Sequence, residues 1–319
     1  MKPFRHINAT TIDGAASLLA EYKGKAKLMA GGTDLLGELK DRILPGYPDA
    51  LINIKTVPGM EYIREEEGVL KIGALTKLQD IANSGVVKGN YALLAQAAHS
   101  VSSPHIRRMG TIGGNLCQDV RCWYFRASAL VGDPFYCLKK GGKTCFAVAG
   151  DNRYHAILGG KGCFAVCPSD TAMALTALNA TIVTNKRSIP ITDFFKVLRN
   201  ALGADEIVTE VQVPKPKPGT KQLFTKFGLR KALDFAVVSV ATAISVEAGK
   251  VAEARIVLGG VSPIPFRAIE AESAIEGKVL SEATAEAAGA AAVKNATPLS
   301  NNAYKIQIAK TLVKRAILS

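Results

Sequence analysis

The chain has 319 residues, 48% of them hydrophobic, and a formal net charge of +13 from 40 basic and 27 acidic residues. That length and composition suit two or three domains with real cores. The basic residues are dispersed and aromatics reach only 6%, so no basic run interleaved with stacking rings supports nucleic-acid binding. The charge instead suits acidic partners or anionic cofactors. The opening Met1-Lys-Pro-Phe-Arg-His-Ile-Asn lacks a signal-peptide pattern, and the longest apolar run, Phe235–Val246, is too short and too polar to span a bilayer. A cytoplasmic protein with reduced thiols is expected.

In chain order, Thr11–Tyr22 predicts a helix with Thr10 or Thr11 as its cap, and Lys27–Ala30 a strand running into Gly31-Gly32-Thr33-Asp34. Leu35–Lys40 reads as a helix and Leu51–Ile54 as a strand. Glu65-Glu-Glu-Gly68 marks a hairpin tip between Tyr62-Ile63 and Val69–Ile72. Leu78–Asn83, Tyr91–Ser100 and Thr171–Ala180 carry helical patterns, and Thr181–Thr184 a strand. Pro214-Lys-Pro-Lys-Pro-Gly219 marks a boundary that neither helix nor central strand tolerates. Beyond it come strands at Gln222–Gly228, Phe235–Val246 and Val251–Leu258. Helices at Glu282–Asn295 and Ala303–Leu318 follow, the last with Ile308, Leu312 and Ala316 on one face.

Two glycine turns invite a phosphate. Gly31-Gly32-Thr33-Asp34 lies between a strand and a helix, where bare backbone can approach an anion. Gly110-Thr-Ile-Gly113-Gly114-Asn115 is a second such turn. Together they read either as a two-sided grip on a pyrophosphate or as two unrelated tight turns. Neither matches the dinucleotide fingerprint or the P-loop, which disfavours a Rossmann dehydrogenase or a P-loop enzyme.

All six cysteines, Cys117, Cys122, Cys137, Cys145, Cys163 and Cys167, fall in one Gly-rich window. Fourteen residues separate Cys122 from Cys137, seven separate Cys137 from Cys145, and seventeen separate Cys145 from Cys163. No Cys-x-x-Cys knuckle occurs and His155 is the only histidine of the window, so a zinc ribbon is poorly supported. Four thiolates from one long loop suit an iron–sulfur cubane, with two cysteines left as small apolar filler. A non-redox protein stabilised by zinc or a cluster is the alternative, and a disulfide-bearing loop a third reading. His6, His99, His105 and His155 lie in unrelated contexts, and no residue is assigned as general acid, base or nucleophile.

Several segments together resemble the FAD-binding medium subunits of the molybdenum hydroxylases, of the xanthine dehydrogenase and carbon monoxide dehydrogenase type. They are Ala30-Gly-Gly-Thr-Asp-Leu-Leu36, Arg108-Met-Gly-Thr-Ile-Gly-Gly-Asn-Leu116, Pro168-Ser-Asp170, Gly73-Ala-Leu-Thr76, Lys226-Phe-Gly-Leu-Arg230 with Asp234, and Val257–Pro263. Roughly fifty residues separate the Gly-Gly-Asn turn from Ser169-Asp170, whereas in most members these lie within a few residues of each other. The insertion is similar to the one in the medium subunit of 4-hydroxybenzoyl-CoA reductase, where it holds a [4Fe–4S] cluster. Cys122, Cys137 and Cys145 match three of its ligands. Arg153-Tyr154-His155 occupies the place of the fourth, so Cys163 is chosen ahead of Cys167, Cys117 and His155.

The resemblance implies an α+β fold: a two-subdomain α/β FAD-binding (PCMH-type) module with a cluster-binding loop insertion, then a C-terminal domain of antiparallel sheet and helices. Its boundaries are residues 1–56 and 57–213 for the two FAD-binding subdomains, about 117–167 for the loop, and 220–319 for the C-terminal domain. It also implies that Gly31, Gly32, Thr33, Asp34 and Leu35, with Thr111, Gly113, Gly114 and Asn115, surround the pyrophosphate and the adenine-side ribose. Leu28, Met29 and Ala30 would line the adenine side. Asp170 would hold polar atoms of the flavin or ribityl chain, approached by Lys226 or Arg230. The implied role is an electron-transfer subunit beside a molybdopterin large subunit and a small subunit with two [2Fe–2S] clusters, and ferredoxin or NAD is the external electron partner. The substrate would be an aromatic acyl-CoA, a purine or an N-heterocycle.

Overall fold

A computed structural model describes residues 1–319 except Ala129, Val131, Asp133, Pro134, Lys231 and Ala232. Among the described residues the strands are β1 Arg5–Asn8, β2 Ala26–Met29, β3 Ala50–Asn53, β4 Ile63–Glu66, β5 Val69–Gly73, β6 Thr181–Thr184, β7 Ser188–Pro190, β8 Val208–Pro214, β9 Lys221–Phe227, β10 Val238–Glu247, β11 Lys250–Gly259 and β12 Phe266–Arg267. They form three sheets, ordered β1-β3-β2, β4-β5-β8-β6-β7 and β12-β11-β10-β9.

The first sheet is parallel. Its β1-to-β2 crossover is the helix Ile12–Glu21, capped by Thr11, whose hydroxyl accepts from Gly14 N at 3.0 Å. Every residue of β3 is buried, as a central parallel strand requires. The other two sheets are antiparallel. The expected α+β architecture, a mixed FAD-binding module followed by an antiparallel-sheet domain, is the one observed.

Strand β10 explains why the third sheet anchors the molecule. Its first eight residues, Val238–Ser245, are all buried. Small residues at Ser239, Ala241 and Ala243 let helices Ala92–Ser100 and Asp170–Ala177 approach, and helix Tyr304–Leu318 also packs on this strand. In that last helix the buried stripe is Lys305, Ala309, Leu312, Val313, Ala316 and Ile317. The expected Ile308 is only half buried, and a lysine takes a core position instead.

Boundaries shift by a few residues from the sequence reading, and several short helices were not expected from periodicity. Among these are Pro104–Met109 and Ile112–Cys117, so the second glycine turn lies within a short helix. Long-range packing on the sheets, not local propensity, supports segments this short. The Pro-rich run at 214–219 connects the five-stranded sheet to the four-stranded one. A separate small core of Ile43, Val120, Phe125, Cys137, Cys163 and Ala165 stabilises the cysteine loop. Among the described residues, no helix is long and apolar enough to cross a membrane.

Candidate functional site

A cleft of about 700 Å³ lies between the two glycine turns, large enough for an extended cofactor. Leu28, Ala30, Gly31, Gly32, Thr33, Asp34 and Leu35 line one side, and Thr111, Gly113, Gly114, Asn115 and Asp170 the other. Ile54, Ala74, Leu75 and Leu78 add apolar wall. Met29 and Lys226, though expected, do not line it. Lys226 reaches the cleft only through Asp170, whose Oδ2 accepts from its Nζ at 2.7 Å and from Ser100 Oγ at 3.1 Å. Arg230 turns to Asp234 on the exposed surface instead. Burial pushes the Asp170 carboxyl up, opposed by the Lys226 ammonium.

The two turns meet backbone to backbone. A Cβ on Gly31 would stand 2.0 Å from Met109 O, so no other residue fits there without moving one turn. Gly32 has φ +70°, a conformation open to glycine at little cost.

Their hydrogen-bonding capacity differs. Among the described residues, nothing accepts from the amides of Gly31, Gly32, Thr33 or Asp34, which leaves four donors free in residues that line the cleft. In the second turn Ile112 N donates to Thr76 O, Gly113 N to Ala74 O, Gly114 N to Thr111 Oγ1 and Asn115 N to Thr111 O. The first turn therefore holds the free amides, and the second contributes small size and side chains.

Asn115 is held from just beyond the cysteine window, and Asp34 from within it. Asn115 Oδ1 accepts from Ser169 Oγ and Thr171 Oγ1. Asp34 Oδ2 accepts from Asp119 N at 2.8 Å, while its Oδ1 pairs with Arg126 at 2.8 Å and Arg121 at 3.0 Å. The carboxylate is thus tied within the chain, while Asp34 still lines the cleft. Arg126 also approaches Glu38 Oε1 at 3.2 Å, without hydrogen-bond alignment. Burial, and then the nearby Asp119 and Asp34 charges, push the Glu38 carboxyl up to about 7. Arg121 lies over the Phe235 ring at 4.8 Å, which brings the connection between β9 and β10 to the same cleft.

The cysteines divide by place. Cys122, Cys137, Cys145 and Cys163 line one small cavity with Val120, Tyr124, Phe125 and Phe146. Among the described residues no carboxylate lines it; Lys139 does, with Nζ bound to Asp119 Oδ1 at 2.8 Å. A 3-10 turn at Leu138–Lys140, closed by Gly141 at φ +95°, brings Cys145 back beside Cys137. Cys117 lines the large cleft, and Cys167 a separate pocket beside Asp170. All six thiols are free. Burial pushes the Cys122 thiol up to about 12. Among the described residues no three His, Cys, Asp or Glu side chains converge on a single-ion metal site. A cubane differs from one ion in this respect, because it takes its thiolates at separate corners and so further apart.

His155 lies outside the cavity lining, with Nε2 3.2 Å from Cys122 Sγ. Burial, then the Lys305 charge, hold its ring down to about 4. Sequence reasoning missed the cleft's far wall, Asn200, Leu202, Gly203 and Ala204. That loop leads into β8, and only the β6–β8 register carries it to the cleft.

Comparison with known proteins accounts for both halves of the chain. Residues 2–216 match the FAD binding domain in molybdopterin dehydrogenase, and residues 224–319 the CO dehydrogenase flavoprotein C-terminal domain. The nicotinate dehydrogenase FAD-subunit of Eubacterium barkeri is 32% identical over 90% of this chain and 84% of its own length. The aldehyde oxidoreductase FAD-binding subunit PaoB of Escherichia coli is 34% identical over 97% and 96%. The structure of carbon monoxide dehydrogenase from Hydrogenophaga pseudoflava aligns with a TM-score of 0.79 at 27% identity, covering 100% of this chain and 98% of that one. The chain belongs to the FAD-binding subunits of the molybdenum hydroxylase family.

Proposed function

We propose that this FAD subunit of a molybdenum hydroxylase complex carries FAD in the large cleft and a [4Fe–4S] cluster on Cys122, Cys137, Cys145 and Cys163, and that it links both to the [2Fe–2S] clusters of a partner subunit. The observation that carries the reading is the gathering of these four thiols, from four points of the window, around one small cavity. Soft sulfur donors suit iron–sulfur clusters. When bound, FAD interconverts one- and two-electron transfer and the cluster supplies a one-electron port.

The chain's own residues position these groups. The free amides of Gly31–Asp34 would face the pyrophosphate, with Leu28, Ala30 and Leu35 beside the adenine end. Asp170, oriented by Lys226 and Ser100, would face the flavin's polar atoms. Arg121 and Arg126 leave the cysteine loop and clasp Asp34, so the two sites share one rigid wall. Lys139, at the cluster cavity, offsets the negative charge of a thiolate-bound cluster.

The complex would be cytoplasmic, would act on an aromatic acyl-CoA, a purine or an N-heterocycle, and would exchange electrons with ferredoxin or NAD. The nicotinate dehydrogenase relative favours the N-heterocycle.

Purified anaerobically with its partner subunits, the protein is expected to carry flavin and a cubane EPR signal beyond those of the [2Fe–2S] clusters. Cys163→Ser loses that signal and Cys117→Ser keeps it; the reverse pattern refutes the ligand set. A colourless chain with bound zinc refutes the redox reading altogether. If Cys137→Ser abolishes the cubane signal yet leaves ferredoxin-linked turnover whole, the cluster is no port for that donor.

A further inference from the structure

We propose that His155 donates a hydrogen bond from Nε2 to the Cys122 thiolate and thereby raises the reduction potential of the cluster, without serving as a ligand; the inference rests on the cluster reading above. His155 Nε2 stands 3.2 Å from Cys122 Sγ, within range for a sulfur acceptor. A ligating thiolate only accepts, and a neutral imidazole carries one N–H. Nδ1 is buried without a hydrogen-bond partner among the described residues, so nothing there competes for the proton, and the contact with Cys122 sets the tautomer.

The ring is held from several sides. It is 3% exposed and lies against Trp123 and Tyr124 at centroid distances of 5.8 and 5.9 Å. Its backbone carbonyl accepts from Lys305 Nζ at 3.0 Å and from Asn302 Nδ2 at 3.2 Å. Both donors come from the C-terminal region at the start of the last helix. Such anchoring keeps the N–H aimed at one sulfur. A buried donor draws charge from the thiolate and favours the more negative, reduced cluster, because hydrogen bonds to cluster sulfurs set potential. Cys163 supplies the fourth thiol at the cavity, which His155 does not line.

The test is an EPR-monitored redox titration of the assembled complex as wild type, His155→Leu and His155→Gln, with iron and acid-labile sulfide counted in each. The expected result is full cluster occupancy throughout. At the wild-type midpoint the reduced-to-oxidised ratio should fall roughly tenfold in His155→Leu, a shift of about 59 mV for a one-electron couple. His155→Gln, which keeps an N–H donor, should fall between. Equal midpoints at full occupancy overturn the inference and leave the cluster standing. Loss of the cluster from both variants makes His155 a ligand or a prop and also overturns it; His155→Cys then separates these two roles. A wild-type chain without a cluster overturns both readings.

Discussion

Gly31→Ala probes the contact between the two glycine turns on which the cleft depends. The added Cβ would meet Met109 O at 2.0 Å, its carbonyl carbon at 2.8 Å and Gly110 Cα at 3.1 Å. Ordinary non-bonded contacts lie near ~3.5 Å, so the Met109–Gly110 backbone must retreat by about 1 Å or more. It is not free to do so. Gly110 N donates to Ile106 O at 2.7 Å, and Gly110 O accepts from Leu78 N at 2.9 Å. Overpacking against side chains costs about 1–3 kcal/mol, and with backbone on the opposing side we expect about 3 kcal/mol and a melting temperature several degrees lower. The turn that carries the free amides moves with it, so the flavin-to-protein ratio after gel filtration should drop well below wild type. Gly37→Ala is the control, because its Cβ meets nothing within 4 Å in the helix Leu35–Asp41, and it should gain about 0.5–1 kcal/mol. A Gly31→Ala protein with wild-type flavin content and melting temperature would refute the packing argument.

Two further substitutions test the buried charges. Glu38 has a folded-state pKa raised from 4.5 to about 7, so the folded chain binds more protons than the unfolded one between those values. Its contribution to stability therefore falls as pH rises through that window, by up to about 3 kcal/mol. Glu38→Gln should flatten the slope in urea melts between pH 5 and 8, and parallel slopes would contradict the assignment. Lys226→Met leaves the buried Asp170 carboxylate with Ser100 alone. It should cost about 3 kcal/mol or more, largely recovered by adding Asp170→Asn. A single variant as stable as wild type would show that the pair does not hold the cleft's far end.

What could be read from the sequence depended on how local each feature is. Gly31-Gly32 and Gly113-Gly114 stand out because a missing side chain is a property of one residue, and both pairs line the cleft. Three of the six cysteines, Cys122, Cys137 and Cys145, could be picked from the resemblance, whereas Cys163 was a choice among candidates; all four line one cavity. The pairing of Asp34 with Arg121 and Arg126 was not legible. It joins residues 87 and 92 positions apart in the chain, and only the loop's return path sets it. Two amides of the second turn, Ile112 N and Gly113 N, are consumed by Thr76 and Ala74 for a similar reason, since that segment folds as a short helix against the neighbouring turn. Lys305 defeats periodicity outright: a lysine in a core stripe is acceptable only because the carbonyls of Tyr154, His155 and Gly260 await its three donors.

The hydrogen bond between Ser169 and Asn115 joins residues 54 positions apart. The whole cysteine loop therefore leaves and re-enters the flavin module at nearly one point, like a side room opening through a single doorway. Closing a loop of that length costs little more entropy than closing a shorter one, and the loop packs on a small core largely of its own. A chain without it could join Asn115 to Ser169 by a short connector and keep every strand of the five-stranded sheet in register. The loop is thus separable from the sheets that host it but not from the wall of the flavin cleft, because its loss would strip Asp34 of Asp119, Arg121 and Arg126.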